Sequence, residues 1–441
     1  MIFKIFKLET QHLSKTYKII TFLGLKLEFK VRNKCRLPLI HTSYRRKLEA
    51  IKTKLKRREK IRVLFLIREP SKWSYNSVFK EMLKSDIFEP IVAVSILTSA
   101  AEGKDMTRND LEISYAFFKN LKYPVVRAYE AQTSAYLDLA DFKPDLVFYD
   151  QPWELPAVHN PQTVSKFALT AYCDYGFEIM DYENYSKGFH LPLYKYFVDN
   201  KKNIERYQKY DKGNIKNCVS LGYPRLDFYL DKTPINVSKY WKHENKYKII
   251  YAPHHSFEDD GLQLATFKEN GKFILDLARK YQEETTWIFK PHPRFKYALL
   301  ANQIMTEQEI ADYYTAWADL GTIYEQGNYY DIFKSSDLMI TDCCSFLAEY
   351  LPSQKPILQL VNPRHKPFTP LGEEITSQNY KAYSCEDIKR YFEELVLNKN
   401  DYLQEKRSAL STEIIDFNIT SAAKIVAYLK DEFKGAQPHA Q

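Results

Sequence analysis

Two successive series of strand and helix predict an α/β chain of two Rossmann-like parallel-sheet domains facing each other across a cleft, with a basic leader in front. Three observations carry this prediction. Short apolar runs with strand character recur from residue 61 onward, bounded by turn residues. Stretches of helical length separate them, so the strands are joined by right-handed βαβ crossovers and lie parallel. The pattern lapses near residues 230–246, where Lys, Asn and Pro accumulate, and then begins again. A length of 441 residues fits, being too long for one core and suited to about two or three domains.

The elements follow in order. Residues 1–60 hold 18 Lys or Arg against 4 Glu, a net of +14, which leaves the rest of the chain at −6 because the whole is +8. Ile2, Phe3, Ile5, Phe6 and Leu8, the apolar run 19–27 and the Lys-rich stretch 52–60 make an amphipathic leader suited to an anionic membrane surface. A solvated helix covering the first domain is the alternative. On the membrane reading the rest folds without residues 1–57. Residues 61–235 supply strands at 61–67, 90–94, 123–126, 145–149 and 167–172, with a helix around Val78, Phe79, Met82 and Leu83. Residues 246–432 supply strands at 247–251, 286–289, 338–340 and 356–360, and a helix at 345–351.

Composition excludes several classes. The 12 glycines form neither GxGxxG nor GxxxxGK[ST], so P-loop and simple dinucleotide sites are not expected, nor is a bound cofactor. The six cysteines lack CxxC spacing and no Asp-x-Asp stands at a strand end, so neither a disulfide framework nor a metal is expected. Aromatic residues are not interleaved with the leader's Lys and Arg, which argues against nucleic acid. No apolar run reaches the roughly 18 residues of a membrane span. These features point to a cytoplasmic protein, peripheral on the inner face of the cell membrane.

Two blocks stand where strands empty into turns, the place where open α/β sheets bind nucleotides. Lys290-Pro291-His292-Pro293-Arg294 follows the run 286–289 and stops at prolines that cannot continue a sheet. Ser336-Asp337-Leu338-Met339-Ile340-Thr341-Asp342-Cys343-Cys344-Ser345 ends in a strand-to-helix turn whose hydroxyls and N–H groups suit a phosphate, aided by the helix's positive end. Structural readings stand beside these: Thr341 and Ser345 as helix caps, Glu349 as a solvated helix acid, Arg225 in a linker salt bridge.

These residues resemble the CDP-glycerol glycerophosphotransferase family of teichoic acid and capsule synthesis. That family carries a Lys/Arg-x-His-Pro loop and a Ser-Asp-x-x-Ile-Thr-Asp-Tyr-Ser-Ser block followed by Phe-Asp/Glu-Tyr. Tyr251-Ala252-Pro253-His254 and Gly222-Tyr223-Pro224-Arg225-Leu226-Asp227 resemble two further family motifs. The resemblance implies a GT-B fold, with residues 61–235 as acceptor domain and 246–432 as nucleotide-donor domain. It implies transfer of glycerol phosphate, or a related polyol phosphate, from a CDP-linked donor to a lipid-linked or glycan acceptor.

On that reading His292 is catalytic, protonating or bonding the departing CMP. His254, Lys290, Arg294, Thr341, Asp342, Ser345, Glu349 and Arg225 bind the donor. Strand alternation is expected to send His254 and His255 in opposite directions. The family's Trp-His-Gly motif is missing; Tyr149-Asp150-Gln151-Pro152-Trp153-Glu154 takes its place, so Asp150 is the expected base, with Glu154 and His159 nearby. A catalytic thiol at Cys343 or Cys344 is not expected, since no base adjoins them. A nucleotide-sugar glycosyltransferase of capsule or lipopolysaccharide synthesis and a non-catalytic scaffold in capsule assembly are the alternatives.

Overall fold

The computed structural model describes residues 6–12, 16–22, 25–30, 37–101, 111–181, 186–210, 216–257, 261–325 and 327–435. The first domain is a seven-stranded sheet in the order Cys218–Val219, Lys195–Phe197, Leu169–Cys173, Leu146–Tyr149, Ile61–Ile67, Phe88–Val94, Val125–Arg127, every neighbouring pair parallel. The second is a six-stranded sheet in the order Gly321–Ile323, Thr285–Phe289, Tyr247–Ala252, Leu338–Thr341, Ile357–Leu360, Tyr380–Ala382, again all parallel. The architecture is thus two Rossmann-like domains, as the alternation of runs predicts.

Both sheets reverse direction beside their first strand. The chain builds outward from Ile61–Ile67 through Phe88–Val94, then returns to lay Leu146–Tyr149 on the other side. It repeats the move from Tyr247–Ala252, returning with Leu338–Thr341. Such reversals leave a crevice at the carboxyl ends of the two central strands, which is where ligands enter open α/β sheets. Each central strand is apolar because helices cover both faces: Val63 through Ile67 are all buried, as are Ile249 through Ala252. Ring packing fixes the layers, with Phe65 stacked on Phe148 at 4.9 Å and Phe289 on Trp317 at 5.2 Å. Full burial of one such side chain contributes about 1.5–3 kcal/mol.

The leader holds a helix that covers the first domain, as the second reading has it, preceded by strands that neither reading anticipates. Phe6–His12, Thr16–Phe22 and Leu25–Lys30 form an antiparallel three-stranded sheet. The helix Leu37–Lys56 then docks on the first domain. Its Tyr44 and Ile51 are buried, the Tyr44 hydroxyl lies 2.6 Å from Thr170 Oγ1, and Lys54 pairs with Asp145 at 2.8 Å. Removal of residues 1–57 therefore strips core side chains, which corrects the expectation that the rest folds without them.

The last helix, Ser421–Lys434, also departs from the sequence division. It packs on the first domain, where Phe433 meets Phe88 and Lys195 pairs with Glu432 at 3.1 Å. Its amino end is capped across the linker by Asp227, whose carboxylate accepts the Ser421 and Ala422 N–H groups at 2.7 and 3.0 Å. Gly222 sits at φ +90°, and a Cβ there would lie 2.4 Å from Ser421 Oγ, so this turn requires glycine. Elsewhere the domains meet through an antiparallel bridge between Met180 and Phe368.

Candidate active site at the facing strand ends

The crevice of the second sheet gathers the two sequence blocks. Pro253-His254-His255 leaves the first strand, Lys290 to Arg294 leaves its neighbour, and Asp342 to Ser345 leaves the strand that completes the crevice. Backbone bonds lock the loops together: the His292 N–H donates to Pro253 O at 3.1 Å and the Lys290 N–H to Tyr251 O at 2.8 Å.

The three histidines converge. His292 stacks on His255 with ring centroids 3.9 Å apart, and His254 lies 5.2 Å from His292 and 4.5 Å from His255. The expectation that His254 and His255 diverge is corrected: the strand ends at Ala252, and past Pro253 the side-chain alternation of a strand no longer applies. Burial holds the titration of His292 far below the usual imidazole range, helped by His254 and His255; His254 is lowered by burial and by His255. Both rings are neutral at pH 7. The Nδ1 of His292 accepts the Arg294 N–H at 3.1 Å, so its proton sits on Nε2, ready to donate. One nitrogen from each of the three rings lies within 4.8 Å of the others, a grouping that can hold a metal ion and that the sequence reading did not anticipate.

Lys290 is 7% exposed and ringed by Tyr324, Tyr329 and Phe346, with centroids 5.3–5.9 Å from its Nζ. Burial pulls its pKa down to about 8, so it is charged at neutral pH in an aromatic pocket, a poised anion binder. Arg294 is exposed at the rim. Ser345 is half-buried, with Oγ 3.5 Å from Cys343 Sγ, and its hydroxyl remains available to a ligand.

Of the residues expected to touch the donor, Thr341 and Asp342 are committed to the frame instead, and Glu349 and Arg225 are so in part. Thr341 Oγ1 donates to Ala252 O at 2.7 Å and accepts the Cys343 N–H at 2.9 Å, tying two strand ends together. Buried Asp342 accepts the His254 N–H at 2.6 Å and both the N–H and hydroxyl of Thr266 at 2.8 Å. Glu349 is 1% exposed and accepts the Tyr329 hydroxyl through one oxygen, while its other oxygen is buried and accepts no hydrogen bond. Arg225 donates to Tyr329 Oη and to Ser71 O, both at 3.1 Å, and so joins the two domains; it makes no ion pair among the described residues, and its buried Nε has no hydrogen-bond partner there. The following helix, Cys344–Glu349, is six residues long and offers only a short dipole. Burial raises the Cys343 thiol to about 11 and Cys344 further, which removes thiolate chemistry.

Asp150 is corrected most sharply. It is fully buried, and Arg68, also fully buried, grips it through the backbone N–H at 2.7 Å, Nε at 3.0 Å and Nη2. A carboxylate so engaged has no oxygen left for an acceptor proton. His159 is buried against Leu137 O at 2.8 Å, with its pKa lowered to about 4 by burial, and Glu154 bonds the Ser99 N–H at 3.2 Å.

Two Rossmann-like sheets with their crevices turned to one cleft define the GT-B fold, the fold of many group transferases that use nucleotide-linked donors. Residues 180–366 match the family described as CDP-Glycerol:Poly(glycerophosphate) glycerophosphotransferase, a stretch that contains the His254, His292 and Ser345 loops. No curated protein sequence matches the chain. Among solved structures, the wall teichoic acid polymerase TagF, in a single-residue variant, superimposes with TM-score 0.56 at 14% identity, over 90% of this chain and 98% of that one. MnaA of S. aureus, in a co-structure with UDP, gives 0.53 at 16% identity over 85% and 97%. A putative UDP-N-acetylglucosamine 2-epimerase from Listeria monocytogenes gives 0.56 at 14% identity over 86% and 98%. These likenesses establish the fold, and the family match supports a transferase of cell-surface polymer synthesis.

Proposed function

We propose that this protein transfers glycerol phosphate, or a related polyol phosphate, from a CDP-linked donor to a lipid-linked or glycan acceptor. The observation that carries the reading is the second crevice. There the buried ammonium of Lys290, the Nε2–H of His292 and the Ser345 hydroxyl open onto the edge where a parallel sheet receives a nucleotide. Lys290 and Arg294 neutralise the diphosphate, and His292 bonds the oxygen that leaves with CMP. No helix among the described residues is long and apolar enough to cross a membrane. The basic amino-terminal segment supports a peripheral contact with anionic lipid.

The test is a thermal-shift screen with CDP-glycerol, CDP-ribitol, CMP and UDP- or GDP-sugars, followed by product analysis with the best donor. A ligand bound only to the native state raises the melting temperature. Stabilisation by CDP-glycerol or CDP-ribitol, with CMP released on transfer, is expected. Stabilisation by a nucleotide sugar alone would favour the glycosyltransferase reading, and indifference to every nucleotide would favour a scaffold.

A further inference from the structure

We propose that, within the acceptor domain, Glu69 is the general base and Trp153 and Tyr175 are the surface on which a hydroxyl-rich glycan or polyol chain end lies. This inference rests on the donor reading above and supplies its missing half. Glu69, Gln151 to Trp153 and Tyr175 follow three adjacent strands, Ile61–Ile67, Leu146–Tyr149 and Leu169–Cys173, so they share the edge of the reversal in the first sheet. Trp153, 36% exposed, stands edge-on to Tyr175 at 5.2 Å, and the Lys72 ammonium lies 4.2 Å over the Tyr175 ring. An exposed indole beside a half-buried phenol ring and a few converging polar groups suits a sugar or polyol, which presents C–H faces and hydroxyls together.

Polar groups at this edge are built in, not incidental. The amide nitrogen of Gln151 lies 3.3 Å from Glu69 Oε2, while its amide oxygen is buried and accepts no hydrogen bond. A buried acceptor left unmatched is costly, and a substrate hydroxyl would satisfy it. The Arg68–Asp150 pair holds this loop in place: the same guanidinium donates to Trp153 O at 2.6 Å and to Gln151 O at 2.7 Å. Asp150 is thus a positioning residue one step removed from the chemistry.

The edge also adjoins the donor crevice. Ser71, two residues past Glu69, accepts from Arg225, which donates to Tyr329, one of the rings around Lys290. The step balances as follows. The acceptor hydroxyl oxygen forms a bond to the β-phosphorus and its proton passes to the Glu69 carboxylate. The bond from that phosphorus to the bridging oxygen breaks, and CMP departs with the electron pair, stabilised by His292 and Lys290.

The experiment pairs two variants of the full chain. Glu69→Gln keeps the contact with Gln151 and removes the base, so transfer should fall about 10²–10⁴-fold with CDP-glycerol affinity unchanged. Trp153→Ala should raise the acceptor KM about tenfold or more while leaving the donor KM alone. Wild-type turnover in Glu69→Gln, or equal loss of donor binding in either variant, would overturn the assignment. Should wild-type protein turn over a nucleotide sugar and not CDP-glycerol, the donor reading fails, and the same variants assayed with that sugar decide the acceptor side.

Discussion

The two sheets present the same reversal of strand order at the same edge, yet they spend their charged groups differently. In the first, the strand ends are sealed by Arg68 and Asp150, a fully buried ion pair whose guanidinium also holds two carbonyls of the next loop. In the second, Lys290 forms no ion pair among the described residues, though the charge of Glu349 bears on it, and His292 carries its proton on Nε2, while Thr341 and Asp342 do the tying. A charged residue at a strand end is therefore not evidence of chemistry. What separates frame from function is whether its polar atoms are already satisfied inside the protein.

The contrast can be broken at its functional end first. His292→Ala should lower transfer about 10²–10⁴-fold with the melting temperature nearly unchanged, because the ring lies on a loop and supports no core packing. Turnover within a few-fold of wild type would return His292 to the frame. At the structural end, Asp150→Asn should leave Arg68 buried beside a neutral partner and cost about 3–5 kcal/mol in denaturant unfolding. A stable variant with selectively slow turnover would instead revive Asp150 as the base.

Lys290→Met keeps the stem in its aromatic pocket and removes the charge, so donor KM should rise about tenfold while kcat changes less. The wild-type protein tests the same point by pH. Burial depresses the pKa of Lys290 to about 8, so the ammonium is present below that value and lost above it, and donor affinity should fall as pH rises through about 8. Affinity that is flat across this range, or a fall that persists in Lys290→Met, would assign the dependence to another group. The smallest effect belongs to Ser345→Ala, a loss of about 0.5–1.5 kcal/mol in donor binding, the net worth of one hydrogen bond.

How much of this was legible in the sequence follows the same division. The strand Ile61–Ile67 was read to the residue because it is long and bounded by charge on one side and Arg-Glu-Pro on the other. Edge strands such as Cys218–Val219, Gly321–Ile323 and Tyr380–Ala382 went unread, since two or three residues carry no periodicity. The crevice loops were found because proline and histidine after a strand are unusual.

The roles of Thr341, Asp342 and Glu349 were not readable, because whether a polar group meets ligand or backbone depends on burial that only the packed fold sets. Glu69 and Lys72 were missed although Arg68-Glu69-Pro70 repeats the pattern that drew attention to Lys290-Pro291-His292: charge and proline directly after a central strand. Applied evenly to both sheets, that signal finds both crevices.

Amide hydrogen exchange with and without CDP tests most directly whether the donor belongs to the second crevice alone. The account predicts slowed exchange in the loops 253–257, 290–295 and 342–346, with residues 149–154 unaffected by the nucleotide. Protection confined to 149–154, with the histidine loops unchanged, would contradict it.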